Sequence, residues 1–433
     1  MKRTARTRLL AATTVALLAA GPAAPVGATQ HTAEDPNRAG VLHLDHGTAQ
    51  GWRTDRHLRL VADVGHYELA ADARSRADVI GFGDRGVHVS FGHADGTLSP
   101  SDLRLADFGR NQGWHPERHP RRVADVDGDL RRDIVGFGER GLHVSYGNRY
   151  GSLNPALGPE RTLQDFGAAQ GWRPDRHLRR VADLDGGGRA AVVGFGDDGV
   201  HVAVHGSARS SGEFSPATLR VADFGWNQGW RTDRHVRELA DVTGDGLLDV
   251  VGFGDRGVQV AQGRADGTFS ASALVLRDFG HAQGWRVGRH PRHVADVNAD
   301  GRADVVGFGH AGVWVAHGRT DGTFGAPSMT LRDLGEAQGW RSDRHDREVV
   351  DLNGDGRAEI VAFGDAGTYS SWSGFDGNFA VATLDLRNYG WQQGWRPDRH
   401  VRRIADVTGD GLPEIVGFGE RGTLVTDWLG PHG

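Results

Sequence analysis

A phrase of the form Gly-Trp-Arg-x-Asp-Arg-His returns seven times along the chain, starting at Gly51, Gly113, Gly171, Gly229, Gly284, Gly339 and Gly394. The spacings are 62, 58, 58, 55, 55 and 55 residues. Shortly after each copy comes an acidic loop of the type Asp-x-Asn/Thr-Gly-Asp-Gly, and then Val-Gly-Phe-Gly. A period of this size means one supersecondary unit copied and stacked, because no single copy can bury its own apolar face. The length alone, 433 residues, would allow two or three domains. The unbroken period argues instead for one repetitive body.

The fourth repeat serves as the type. Val236 to Val242 reads as a strand, Thr243-Gly244-Asp245-Gly246 as a turn, and Asp249 to Gly254 as a β-branched strand. Gly257 to Ala261 alternates with period two, Asp266-Gly267-Thr268 is a hairpin turn, and Ala273 to Asp278 is a fourth strand. Four short antiparallel strands with no helical period make a propeller blade, so the predicted fold is all-β, a seven-bladed β-propeller over residues 41–433. The ends of the chain support closure. The last repeat has sequence for only three strands, through about Asp427. Val41 to Gly47 aligns with Val275 to Gly280 and is an orphan fourth strand. Placing it in the last blade removes two exposed edges at once.

The segment 1–28 reads as a signal peptide: Lys2, Arg3, Arg6 and Arg8, then the apolar run Leu9 to Ala20, then the small residues Val26-Gly27-Ala28. Residues 29–40 read as a flexible leader. The expected protein is secreted, soluble and monomeric. No later stretch approaches the roughly 18 apolar residues of a membrane span, so no membrane insertion is expected. A net charge of −6 gives no support to a nucleic-acid partner. The chain has no cysteine, so an exported fold must be held by its core, its topology or a metal.

The acidic loops suit a hard cation. In the second repeat Asp125, Asp127, Asp129 and Asp133 stand at positions 1, 3, 5 and 9. The same positions hold Asp241, Thr243, Asp245 and Asp249 in the fourth repeat, and Asp296, Asn298, Asp300 and Asp304 in the fifth. The sixth has Asp351, Asn353, Asp355 and Glu359; the seventh has Asp406, Thr408, Asp410 and Glu414. All are oxygen ligands, which points to structural Ca²⁺ rather than a transition metal. The third repeat replaces two carboxylates with Gly187 and Ala191, and the first carries an insertion between Asp63 and Asp78. Those two loops are expected to be metal-free or weak. The alternative is that all the loops are Asx turns without an ion.

The phrase lies in the loop joining one blade's outer strand to the next blade's inner strand, on the face opposite the acidic loops and beside a seam between blades. Its composition suits a sugar: an indole for the apolar face of a pyranose, and Arg, Asp and His for hydroxyls and an acetamide. The candidate ligand-binding residues are Trp52, Arg53, Asp55 and His57; Trp172, Arg173, Asp175 and His177; Trp230, Arg231, Asp233 and His235; Trp285, Arg286 and His290; Trp340, Arg341, Asp343 and His345; and Trp395, Arg396, Asp398 and His400. Gly288 and His115 break the pattern in the fifth and second copies. The competing reading is a buried hydrogen-bonded network that locks each blade. On the sugar reading, Trp230→Ala spares the fold and lowers avidity.

The acidic loop followed by Val-Gly-Phe-Gly, as in Asp241 to Gly254, resembles the FG-GAP repeat of integrin-type propellers. The longer run Phe224 to Arg237, joined to that loop, resembles the repeats of the Psathyrella velutina lectin family. That resemblance covers residues 41 to 433. It implies a seven-bladed, calcium-containing propeller that binds N-acetylglucosamine, and also sialic acid, in pockets between blades, with glycans or glycoproteins as partners. Two other functions are weighed against it. An integrin-like adhesion module would present one asymmetric patch, which near-identical phrases disfavour. A secreted polysaccharide-active enzyme needs one singled-out constellation, and each candidate His and carboxylate here recurs. The expectation is a binding protein, not an enzyme.

Overall fold

The computed structural model describes residues 40–65, 75–148, 163–206 and 213–427. The signal peptide, nearly all of the leader, and most of the insertion between Asp63 and Asp78 lie outside the described residues.

The type repeat folds as four strands, Val236–Ala240, Asp249–Phe253, Val258–Ala261 and Ala273–Leu276, paired antiparallel in that order. Six sheets of four strands and one of three are present among the described residues. The three-stranded sheet is the second blade, Arg121–Ala124, Asp133–Phe137 and Leu142–Ser145. There the Leu142 N–H still reaches the Leu163 carbonyl at 2.9 Å, where a fourth strand would run. The ring closes as expected. Val41–His43 pairs antiparallel with Thr423–Thr426, in the register Val41↔Val425, Leu42↔Leu424 and His43↔Thr423.

The second strands are buried at every residue, as Asp78–Phe82 and Asp249–Phe253 are, because both sheet faces pack against other blades. The core therefore sits between blades. One cluster joins Val193 and Phe195 of the third blade to Trp230 and Val250 of the fourth. Another joins Phe82 and Val87 of the first to Trp114 and Ile134 of the second.

First strands of neighbouring blades lie against one another around the axis, Leu58–Ala62 beside Val401–Ala405 and Val236–Ala240 beside Arg292–Ala295. Two tiers of side chains leave them. The first tier is Arg59, Arg121, Arg179, Arg237, Arg292, Arg347 and Arg402, all buried. Each faces the preceding blade, as Arg59 lies 5.4 Å over the Phe418 ring and Arg121 lies 5.1 Å over Phe82. The next residue of each strand forms the second tier: Leu60, Arg122, Arg180, Glu238, His293, Glu348 and Arg403. These face the following blade. Arg122 donates to the Arg179 carbonyl at 3.4 Å, and Glu238 accepts from the Val294 N–H at 3.1 Å.

Candidate functional site

Six of the seven phrases enter through a short 3₁₀ turn and the fourth through a plain turn. In the fourth copy Trp226 to Gln228 leads into Gly229, and the capping glycines of the other turns, such as Gly51 and Gly171, have φ near +90°. Gly229 has φ 93°, a conformation that only glycine takes without strain. This explains the invariant first letter of the phrase.

Trp and His then turn inward. The seven phrase tryptophans are 3–8% exposed, and the seven histidines 4–8%. Trp230 stacks tilted on Phe224 with centroids 5.1 Å apart and meets His235 edge-on at 5.2 Å. Its Nε1–H donates to Asp223 Oδ1 at 3.0 Å. The second-strand glycine lies against it: a Cβ at Gly252 would come within 2.4 Å of the Trp230 ring. Val-Gly-Phe-Gly thus carries a packing requirement of the indole. The histidine closes the loop. His235 Nδ1 accepts from the Arg231 N–H at 3.1 Å, and Nε2 faces Asp255 Oδ1 at 2.9 Å, which assigns the proton to Nε2. Equivalent pairs are His57–Asp84 at 3.1 Å, His177–Asp197 at 2.8 Å and His345–Asp365 at 2.8 Å. Burial holds these imidazoles below their usual range, against the pull of the acid. His400 Nε2 has no hydrogen-bond partner, and burial takes this imidazole down to about 4.

The expected pocket lining is corrected accordingly. Trp52, Trp172, Trp230, Trp285, Trp340 and Trp395, with His57, His177, His235, His290, His345 and His400, form an interior lock rather than an open platform, because their side chains are buried inside the seam.

The arginines and acids remain outward, in two arrangements. In copies one, three and six the arginine pairs with its own acid: Arg53 with Asp55 at 2.9 Å, Arg173 with Asp175 at 3.3 Å, and Arg341 with Asp343 at 2.7 Å. In copies four, five and seven it turns back on the chain. Arg231 Nη1 donates to the Trp226 and Trp230 carbonyls at 2.7 and 2.9 Å, and Arg286 and Arg396 do the same with theirs. The cause is an aromatic residue five positions earlier: Trp226, His281 or Trp391, where the other group has Thr48, Ala168 or Glu336. The Arg231 guanidinium lies 3.6 Å over the Trp226 ring, and that of Arg396 3.8 Å over Trp391. Arg176 and Arg344 of the preceding copies lie over the same two indoles at 4.4 and 4.5 Å. Asp233 and Asp398 are exposed. Neighbouring copies are tied together: Thr54 Oγ1 donates to the Asp398 carbonyl, and Thr232 Oγ1 to that of Asp175.

The irregular fifth copy rearranges its surroundings. Gly288 leaves open space beside Arg286. In the same blade His310 stands where other blades have an acid, and Glu336 of the next loop takes over. It meets Arg289 Nε at 2.8 Å, His310 Nδ1 at 3.3 Å and His290 Nε2 at 3.5 Å, and Arg289 holds its carboxyl down at about 2.

Three recurrent positions escape the sequence reading. An Asp seven residues before Trp (Asn388 in the last copy) accepts both the indole N–H and the next backbone N–H. That next residue, Phe224 or its equivalents, has φ near +60°, a strained conformation that the carboxylate holds in place. The first-tier arginine donates to the carbonyl of this strained residue, as Arg237 does to Phe224 at 2.9 Å. The phrase glutamine reaches the neighbouring turn, as Gln228 Nε2 does to the Asp198 carbonyl at 3.1 Å. Comparing the seven copies column by column would have flagged all three.

On the opposite face the acidic loops wrap their own first carboxylate. Asp125 accepts from the Gly128 and Leu130 N–H groups at 2.7 Å each, and Asp241 from Gly244 and Gly246 at 2.7 Å each. Position 9 also accepts from the backbone: Asp133 from Val126 at 2.8 Å and from Gly147 at 2.9 Å. Two loops bring three carboxylates within 4.8 Å of one another: Asp125, Asp127 and Asp133, and Asp406, Asp410 and Glu414. Burial pushes Asp133 up to about 8, Asp249 to about 6, and Glu359 and Glu414 to about 7. Buried carboxylates with no cationic side chain beside them fit a hard cation. In three loops the position-5 acid instead meets an arginine two residues on: Asp129 with Arg131, Asp300 with Arg302, and Asp355 with Arg357. In the third loop one oxygen of Asp183 is buried without a partner.

Residues 296–362 match the family model of the FG-GAP-like repeat. No relative is found among curated protein sequences. Among solved structures, the chain is similar to an Agrocybe aegerita lectin described for its specific recognition of non-reducing terminal N-acetylglucosamine. The identity is 43%, over 82% of this chain and 87% of that one, with a TM-score of 0.77. A weaker likeness, 15% identical with a TM-score of 0.45, reaches a Photorhabdus luminescens Tc holotoxin pore, spanning 79% of this chain and 16% of that one. With that identity over most of both chains, the chain belongs to the family of the Agrocybe aegerita lectin.

Proposed function

We propose that the protein is a multivalent carbohydrate-binding lectin, not an enzyme, that takes terminal N-acetylglucosamine at the seams between phrase copies. The supporting observation is the 43% identity to a lectin of that specificity across nearly the whole ring. The geometry agrees. Arginines and acids of the phrase stand outward beside each seam, while Trp and His fix the loop that carries them. Arg53, Asp55, Arg173, Asp175, Arg341 and Asp343 are the hydrogen-bonding groups of one set of seams. Arg231, Asp233, Arg286, Arg396 and Asp398 serve the other, with Trp226 and Trp391 supplying part-exposed aromatic edges. A single shallow sugar site near 1 mM corresponds to about 4 kcal/mol, and several on one rigid face raise avidity by about 10²–10⁴-fold.

We further propose that Ca²⁺ occupies the second and seventh acidic loops, where the carboxylates converge, and stabilises the blades. Asp125, Asp127 and Asp133, or Asp406, Asp410 and Glu414, would hold it. The N-terminal segment supports export, and the working form is a secreted monomer. A glycan array with the mature protein tests the reading: binding to terminal N-acetylglucosamine, competed by the free sugar, is expected, with sialylated glycans as a second arm. Silence on both arms, with capture only on protein ligands, would favour an adhesion module.

A further inference from the structure

Four phrase copies share one contact, and the seam between copies five and six departs from it. In those four, the turn after the second strand carries an acid that holds the last arginine and the histidine of the phrase. Asp84 Oδ1 takes Arg56 at 3.3 Å and His57 at 3.1 Å. Asp197 Oδ1 takes Arg176 at 2.5 Å and His177 at 2.8 Å, and Asp255 Oδ1 takes Arg234 at 2.6 Å and His235 at 2.9 Å. Asp365 Oδ1 does the same with Arg344 and His345. One oxygen thus serves both partners. The four side chains stay 44–50% exposed, so the second oxygen can still accept from a hydroxyl.

Copy five has His310 at that place. Its acid comes from the turn of the next copy instead. Glu336 opens the turn Glu336–Gln338, which rests on blade five through the Glu336 N–H and the Gly309 carbonyl, 3.2 Å apart. Both carboxylate oxygens are used. Oε1 takes Arg289 Nε at 2.8 Å, and Oε2 faces His310 Nδ1 at 3.3 Å and His290 Nε2 at 3.5 Å. Only 27% of the side chain stays exposed. Two further differences fall in the same seam. The outward acid of copy five is missing, because Gly288 stands where copies three and seven have Asp175 and Asp398. The tether between copies also moves. Thr232 and Thr54 donate to the carbonyls of Asp175 and Asp398, whereas Ser342 Oγ donates one residue further on, to the Arg289 carbonyl at 3.0 Å.

We propose that Glu336 is a built-in occupant that closes the seam between copies five and six to N-acetylglucosamine. A sugar is held by hydrogen bonds from its hydroxyls to acceptors that are otherwise met only by water. In this seam one acid is absent, and the other spends both oxygens on Arg289, His290 and His310. The Arg289 fork is spent on the same carboxylate, in a charge-assisted pair that joins the two copies. Closure presupposes the lectin reading and removes one seam from it.

The test soaks crystals of the mature full chain in saturating N-acetylglucosamine, in a lattice that leaves the seam of Glu336 open to solvent. Sugar is expected in the seams of Asp197 and Asp365 and none in the seam of Glu336. The triple variant Gly288→Asp, His310→Asp, Glu336→Ala rebuilds this seam on the pattern of the others. A Cβ at Gly288 meets nothing within 4 Å, so the new aspartate has room. The rebuilt chain is expected to gain sugar in this seam and to keep it in the rest. If it fails to fold, the parent crystal decides alone. Sugar beside Glu336 in the parent, or a rebuilt seam that stays empty while its neighbours fill, overturns the closure and leaves the lectin reading standing. Sugar in no seam of either chain overturns the lectin reading, and the closure with it.

Discussion

The two ends of a blade solve the same problem in opposite ways. At the phrase end, the indole finds an Asp, the imidazole finds the backbone and in most copies an acid, and the first-tier arginine finds the strained carbonyl. At the acidic end, carboxylates are buried with backbone N–H groups as their main partners, and burial, with the neighbouring carboxylates adding to it, drives them toward protonation. The phrase end finds most of its partners within the chain. The acidic end keeps carboxylates close together and partly buried. The conspicuous aromatic phrase is therefore mostly architecture, and the plainer Asp-Gly loops are the chemically demanding part.

Removing Trp230 tests the first half of this contrast most severely. Trp230→Ala is expected to cost about 3–5 kcal/mol, read as a large drop in melting midpoint. A variant that melts like the parent would return the indole to the ligand. Chelation should act on the other end and leave the lock intact. Asp133 and Glu414 have folded values of about 8 and about 7, above their ordinary 3.8 and 4.5. Without a cation their contribution is present below about pH 4 and is lost as pH rises through 7 to 8. The fall in midpoint with chelator should therefore be greater at pH 8 than at pH 5, and an equal fall at both would break the assignment.

Acid should weaken the phrase end instead. His46 and His400 are depressed to about 4 from 6.5, so their stability is present above pH 6.5 and is lost as pH falls toward 4. Melts between pH 7 and pH 4 with Ca²⁺ present check this; a flat profile counts against the buried, neutral histidines. The smallest effects separate the two arginine arrangements. Arg231→Ala removes a stacked, twice-bonded guanidinium and should cost about 1 kcal/mol. Arg173→Ala removes an exposed pair member, so its midpoint should not move while N-acetylglucosamine binding falls. Equal stability losses would erase the distinction.

Much of the fold was legible. The type blade's strands fall within a residue or two of expectation, and the orphan strand at Val41 closes the last blade. The site was less so. Arg53 and Asp55 stand outward while Trp52 and His57 beside them are interior, and the phrase alone left the sugar platform and the buried lock both open. In the phrase, alternation does not decide orientation, because a 3₁₀ turn and a left-handed residue set the direction of each side chain. The arginine switch depended on Trp226, His281 and Trp391, which vary between copies and so carried no repeat signal.

The number of blades, their antiparallel order, the closure of the ring and the separation of phrase from acidic loop can all be read from the order of the amino acids. These follow from period and turn chemistry, which are local. Which phrase residues are buried, which arginines stack and which carboxylates lie inside emerge from the folded ring alone. The reason is that every core of this molecule lies between blades. A residue's surroundings come from a neighbour roughly 55 residues away, and a single repeat contains no record of that neighbour.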